Sequence, residues 1–264
     1  MNRCGSRIGA ALAALLLFLA AAVVADAAQG EAILSFDSVV DIDADAGLTV
    51  TETITVLSTG ASIRHGLVRE FPTRYDAPGG QRVEVGFRVL SVRCDGSKEA
   101  YHIKDAANGK RIYMGRKDAL LPPGRHTYAL TYRTDGQIGQ FAGYDELYWN
   151  VTGNGWRLPI ERATALVRLP PGATVQKLAA YTGPAGAKGR DFTARQDDGT
   201  ASFATTAPLT PGQGLTVAVS FPKGFVHPPS AAKRLLTGGP FLVAAGGLVA
   251  VAVFFLLAWL RLGR

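Results

Sequence analysis

Sulfur is scarce in this chain: two cysteines and two methionines occur in 264 residues. Cys4 lies in an N-terminal segment expected to be removed, which leaves Cys94 alone in the mature protein. One cysteine cannot close an internal disulfide, so packing and sheet hydrogen bonds must hold the fold even where the compartment permits disulfides. Cys4 also precedes the first apolar stretch instead of following it, which excludes it as a lipid attachment site. Histidine is equally sparse. His65, His102, His126 and His227 each stand alone, without the clustered spacing that a metal centre needs, and neither metal nor cofactor is expected. There is no Gly-x-Ser-x-Gly elbow and no phosphate-cradling glycine loop before a helix.

A basic stripe is missing too. The net charge is +7, yet between Ala28 and Ser230 Lys and Arg number 22 against 20 Asp and Glu. The rest of the excess sits at Arg3, Arg7, Lys233, Arg234, Arg261 and Arg264, beside two apolar segments where basic side chains orient a chain and meet headgroups. Nucleic acid is therefore excluded as a partner.

Those two segments dominate the ends. Arg3 and Arg7 precede a run of Ala, Leu, Val and Phe from Ile8 to Val24, followed by Ala25-Asp26-Ala27. Small residues at those two positions fit a signal peptidase cleft, so residues 1–27 read as a signal peptide, with an uncleaved anchor helix as the alternative. From Pro240 to Leu260 no charge occurs. At ~1.5 Å per residue this run spans roughly 30 Å, a bilayer core. Trp259 takes an aromatic-belt position, and Arg261 and Arg264 follow. The expected arrangement is a domain at 28–221 outside the cytoplasm, periplasmic or extracellular, and a Pro-rich stalk at 222–239. A single transmembrane helix at 240–260 contacts the lipid bilayer, and a cytoplasmic tail follows at 261–264.

Between the ends no sustained 3.6-residue apolar stripe occurs, whereas period-two patterns recur. Leu34, Phe36, Val40 and Ile42 share one face, as do Leu48, Val50, Ile54 and Val56, with Asp43–Gly47 as the turn of a hairpin. Val83, Val85, Phe87 and Val89 form another strand, ending at Cys94-Asp95-Gly96. Further strands are expected at Thr127–Arg133, Glu146–Val151, Thr164–Leu169, Ala201–Thr205 and Leu215–Phe221. Gly and Pro punctuate the gaps. Short strands with frequent turns imply an all-β fold, an antiparallel β-sandwich, with a possible division into two smaller sheets near Pro170-Pro171-Gly172.

Chemistry is thin. Arg93 beside Cys94 could lower the thiol pKa, but no histidine partner is evident and a nucleophilic role is not expected. Asp145 and Glu146 are adjacent, and neighbouring strand residues face opposite ways, so a shared acid/base role is not expected either. Three stretches concentrate unusual residues: His65–Pro72, Leu121–Tyr128 and Glu146–Trp156. One reading makes Trp149 and Trp156 core fillers and pairs Arg69 with a carboxylate such as Glu146. The other makes His65, Arg69, Glu146, Tyr148, Trp149, Asn150 and Trp156 a contact surface for glycan or protein.

The His65–Pro72 block, the Pro123-Gly124-x-x-x-Tyr128 turn and strand, and Glu146-Leu147-Tyr148-Trp149-Asn150 with Gly153–Ile160 resemble the bacterial predicted-membrane-protein family that carries the domain of unknown function 2207. The resemblance spans about Ala32 to Phe221. It implies an exported N-terminal β-domain followed by membrane helices, with no established activity. Two departures stand out: Gly115-Arg116 occupies a place where glycine and an acid are usual, and family sequences continue beyond the first helix. With about four residues after residue 260, no enzymatic cytoplasmic module is expected. The leading functional expectation is a non-enzymatic interaction module that binds an envelope protein. The alternative is a cell-envelope glycan-binding protein or hydrolase using the aromatic and acidic cluster at 145–156.

Overall fold

The computed structural model describes residues 30–76 and 82–227. The expected signal peptide at 1–27, the part of the expected stalk beyond His227, the apolar run 240–260 and the expected tail 261–264 lie outside the described residues. The described residues contain seventeen strands and no helix, so none among them is long and apolar enough to cross a membrane. The first nine are β1 (Ala32–Ile42), β2 (Leu48–Ser58), β3 (Leu67–Pro72), β4 (Arg74–Asp76), β5 (Arg82–Glu84), β6 (Phe87–Cys94), β7 (Ser97–Lys98), β8 (Tyr101–Ala106) and β9 (Gly109–Met114). The remaining eight are β10 (Gly124–Thr134), β11 (Ile138–Gln140), β12 (Asp145–Asn150), β13 (Ala163–Arg168), β14 (Lys177–Gly183), β15 (Phe192–Asp197), β16 (Thr200–Thr205) and β17 (Gly214–Phe221).

An eight-stranded sheet runs β15-β16-β13-β1-β2-β10-β6-β7, and a four-stranded sheet runs β11-β12-β17-β14. A three-stranded sheet, β3-β9-β8, and the β4-β5 ribbon complete the domain. Pairing is antiparallel except between β1 and β13. The expected hairpin is present: Val40 pairs with Val50 and Phe36 with Ile54 across the Asp43–Gly47 turn, where Asp43 N donates to Gly47 O at 2.9 Å. On β2, Leu48, Val50, Ile54 and Val56 are fully buried, and each such side chain contributes about 1.5–3 kcal/mol by leaving water. The intervening threonines sit on the opposite face. Two of them meet β10 as hydroxyl pairs, Thr51 with Thr131 at 3.3 Å and Thr55 with Thr127 at 3.1 Å.

The structure departs from simple alternation at two places. The β1–β2 register slips between Ile33 and Ser35, so Ile33 is buried and Leu34 is turned half outward. A bulge moves every residue on one side of it to the other face. The strand expected across Val83–Val89 is broken at Val85-Gly86 into β5 and β6, where Gly86 N donates instead to Asp135 Oδ1 at 2.8 Å. At Pro170-Pro171-Gly172 the chain passes from the eight-stranded sheet to the four-stranded one. A single cluster of buried side chains nevertheless includes Phe36, Ile112, Leu130, Val167 and Val219, drawn from the eight-, three- and four-stranded sheets.

Candidate functional site

Alternation on β3 buries Leu67, Arg69 and Phe71 and exposes Val68, Glu70 and Pro72. A cation is thereby forced into the interior, where it survives only if every donor is met. Arg69 is 3 % exposed and Glu52 0 %. Arg69 Nε donates to Glu52 Oε2 and Nη2 to Oε1, both at 2.8 Å. Nη1 donates to Glu70 O at 2.8 Å and Nη2 also to Val151 O at 3.2 Å. Tyr132 OH donates to Glu52 Oε1 at 2.8 Å. Burial, the largest single influence, would lower the Arg69 pKa, but the charge and hydrogen bonds of Glu52, together with Tyr132, outweigh it and the net shift is upward. Burial first, and Glu52 second, hold the Tyr132 phenol well above its ordinary range. Arg69 thus pairs with a carboxylate, as one reading of the sequence has it, but the partner is Glu52 of β2 and not Glu146. The period-two count that places Val50 and Ile54 inward places Glu52 inward as well.

Around this pair the sequence-selected residues separate. Trp149 is 3 % exposed and packs on Phe71 with ring centres 5.8 Å apart, and its Nε1 has no hydrogen-bond partner among the described residues. Trp156 is buried edge-on to Phe36 and donates from Nε1 to Thr152 O at 2.7 Å. Asn150 accepts from Gly153 N at 2.9 Å and donates to Asn154 Oδ1 at 2.7 Å, closing the loop that follows β12. Gly153 has φ +74, and a Cβ there would stand 2.7 Å from Arg69 Nη1. Arg69, Trp149, Asn150 and Trp156 therefore build one scaffold. Tyr148 faces out at 59 % exposure and borders a recess of about 210 Å³ with Tyr75, Gln137, Trp149 and Asn150. Glu146 shares that outward side of β12 without lining the recess. His65 lies at the far end of β3, where its Nδ1 donates to Ala119 O at 2.8 Å. Beside it Gly66 (φ +125) and Gly115 (φ +127) cross so closely that a Cβ on either would meet the opposite backbone carbonyl at 1.9 or 2.0 Å.

Two surface features were not foreseen. The first is β8, which among the described residues pairs with β9 on one side only and is exposed at Tyr101 through Asp105. Tyr101 and Ile103 are 41 % and 42 % exposed on the side where Met114 and Ile112 enter the core. On the other side His102 stacks on Tyr113 with ring centres 4.6 Å apart, and Lys104 Nζ lies 5.4 Å from the Tyr113 ring. The second is a cluster of Cys94, Asp95 and His126, which corrects the expectations that Cys94 has no histidine partner and that the histidines stand alone. Their ligand atoms lie within 4.8 Å of one another. Burial, with the Asp95 and Glu99 charges adding, pushes the Cys94 thiol up to about 11. Arg93, the basic neighbour that could lower the thiol pKa, donates to Gly96 O at 2.8 Å instead. The register of β10 against β6, with Tyr128 opposite Cys94, brings His126 here.

The described residues thus form an all-β domain of mostly antiparallel sheets. The chain belongs to the family described as predicted membrane protein (DUF2207) N-terminal domain, whose model matches residues 32–221. It is similar to the uncharacterized protein YciQ of Escherichia coli (strain K12), 29 % identical over 130 residues, which cover 49 % of this chain and 21 % of YciQ. The match thus spans about a fifth of that relative's length. Among solved structures, yeast LTA4 hydrolase in complex with bestatin matches with TM-score 0.47 at 13 % identity, over 72 % of this chain and 28 % of the hydrolase. The M1 zinc metallopeptidase of Deinococcus radiodurans matches with TM-score 0.41 at 17 % identity, over 72 % of this chain and 42 % of the peptidase.

Proposed function

We propose that this protein is a membrane-anchored envelope module that acts by contact and not by catalysis. In this reading its β-domain is a two-layer sandwich outside the cytoplasm, held at the bilayer by residues 240–260. A partner envelope protein adds a strand to the free edge of β8. The observation that carries this is β8 itself: among the described residues it is an edge strand with an open backbone ladder and two large apolar side chains beyond the core. Such an edge is a template for strand pairing unless something covers it. The main-chain ladder gives affinity, and Tyr101 and Ile103 give the alternate side-chain pockets that select a partner. The test is a photo-crosslinking residue at Ile103 of the full chain in intact cells. A discrete adduct that disappears with Tyr101→Lys is expected, while Tyr101→Lys leaves the melting temperature unchanged. Crosslinks only to lipid, or none, would sink the reading.

One observation favours a second reading, a glycan-binding domain. Tyr148 and Tyr75 are both exposed at the rim of a recess that also offers the amides of Gln137 and Asn150. Aromatic faces with a few amide groups suit sugar rings. Trp149 is buried beneath it and cannot be the platform. Tyr148→Ala should then abolish retention on cell-wall material, whereas strand addition at β8 predicts no change.

A further inference from the structure

We propose that Cys94, Asp95 and His126 form a binding site for a thiolate-accepting divalent transition-metal ion such as zinc. The argument begins with the imidazole. His126 Nε2 lies 2.9 Å from Pro122 O and Nδ1 lies 2.8 Å from Asp95 Oδ2. Both oxygens only accept, and a neutral ring has one N–H to give. One of the two contacts therefore needs a positive centre: a second proton on the ring or a metal ion. A metal at Nδ1 leaves Nε2–H donating to the Pro122 carbonyl, the outer-shell bond that fixes ring orientation in metal-ligating histidines.

The other two ligands converge on the same point. Cys94 Sγ lies 3.8 Å from Asp95 Oδ2. Asp95 is itself held, since its Oδ1 accepts from Thr127 N at 2.8 Å and its own N donates to Thr127 O at 2.9 Å. Tetrahedral zinc bonds of ~2.0–2.3 Å put ligand atoms roughly 3.2–3.7 Å apart, so a side-chain adjustment of about 1 Å within the present 4.8 Å spread suffices. The charge balance fits. Asp95 and Glu99 act together on Cys94, and a divalent ion would neutralise them. Binding replaces the proton on sulfur with the metal, displaces the Nδ1 proton as well from a doubly protonated ring, and releases what it displaces to solvent, with no change of oxidation state. Three protein ligands leave a fourth position for water or for a group from a partner.

Cobalt(II) is the probe, added to the full-length, tag-free chain in detergent. One equivalent is expected to give a near-ultraviolet thiolate-to-cobalt charge-transfer band, with protons released to solvent, and excess zinc should remove the band. Cys94→Ser should abolish the band, and His126→Gln should weaken cobalt affinity at least tenfold, while both keep the metal-free melting temperature. Should Cys94→Ser fail to fold, the affinity loss in folded His126→Gln carries the test. Absence of the band in the native chain, or a band of undiminished affinity in His126→Gln, would overturn the proposal.

Discussion

β10 carries two buried tyrosines four residues apart, Tyr128 and Tyr132, and each serves a different polar group. Tyr132 closes the Glu52–Arg69 pair, in which the acid, the cation and the phenol all have partners inside the protein. Tyr128 faces Cys94 beside Asp95 and His126, where Asp95 is half exposed and the ring nitrogens face two acceptors. Similar residue types thus form a closed network towards the C-terminal end of the strand and an open one nearer its start. Closure marks scaffold, since nothing is left to bind a ligand. An unsatisfied contact near the surface marks a place where one can enter.

The sharpest way to break the closed side is to remove one charge. Glu52→Gln or Arg69→Met should each cost about 3–5 kcal/mol in urea unfolding, because the surviving partner is buried unpaired. The double change Glu52→Leu with Arg69→Met should cost clearly less than the sum, since two apolar side chains leave no orphan. An additive outcome would mean that the two groups do not act as a unit. Next in size, Trp149→Ala should cost about 3–5 kcal/mol by leaving a cavity under the recess. Trp149→Phe should stay within about 1.5 kcal/mol, because the N–H it removes is buried without a partner.

The closed network also sets an alkaline limit. Burial and Glu52 raise the Tyr132 pKa in the folded protein. The folded state therefore keeps that proton after the unfolded chain, whose tyrosines titrate near ~10, has begun to lose it. The contribution is complete below ~10 and falls as pH rises towards the folded pKa. Stability measured between pH 9 and 11 should drop, and Tyr132→Phe should flatten that slope while lowering stability at pH 7 through the lost bond to Glu52. An unchanged slope in Tyr132→Phe would assign the alkaline loss elsewhere.

How much of this was legible in the sequence follows from what local patterning encodes. The β1–β2 hairpin, β10, β12, β13, β16 and β17 carry period-two apolar patterns in sequence and were readable, as was the all-β class. The strands β8 and β15 were not, because both run exposed along sheet edges and have no buried face to show. Leu34 misled because a bulge is invisible to a period-two count. Within the candidate cluster, Trp149 and Trp156 are buried, as the core-filler reading has them, and Arg69 meets a carboxylate, that of Glu52 and not Glu146. The Cys94–His126 approach depends on the register of β10 against β6, a long-range fact that no local spacing carries.

The smallest expected effect divides the outer surface from the scaffold beneath it. Tyr148 and Trp149 are neighbours on β12, one turned out and one turned in. Tyr148→Ala removes an exposed ring that makes no hydrogen bond among the described residues, so its melting curve should match the native chain within about 0.5 kcal/mol. The same variant is the one that must lose cell-wall retention if the recess binds glycan. A stable Tyr148→Ala protein that still yields the Ile103 crosslink and binds no less wall material leaves β8 as the working face. Destabilisation beyond that margin would mean that Tyr148 supports the fold from outside, and the sharp division between the two faces of β12 would fail.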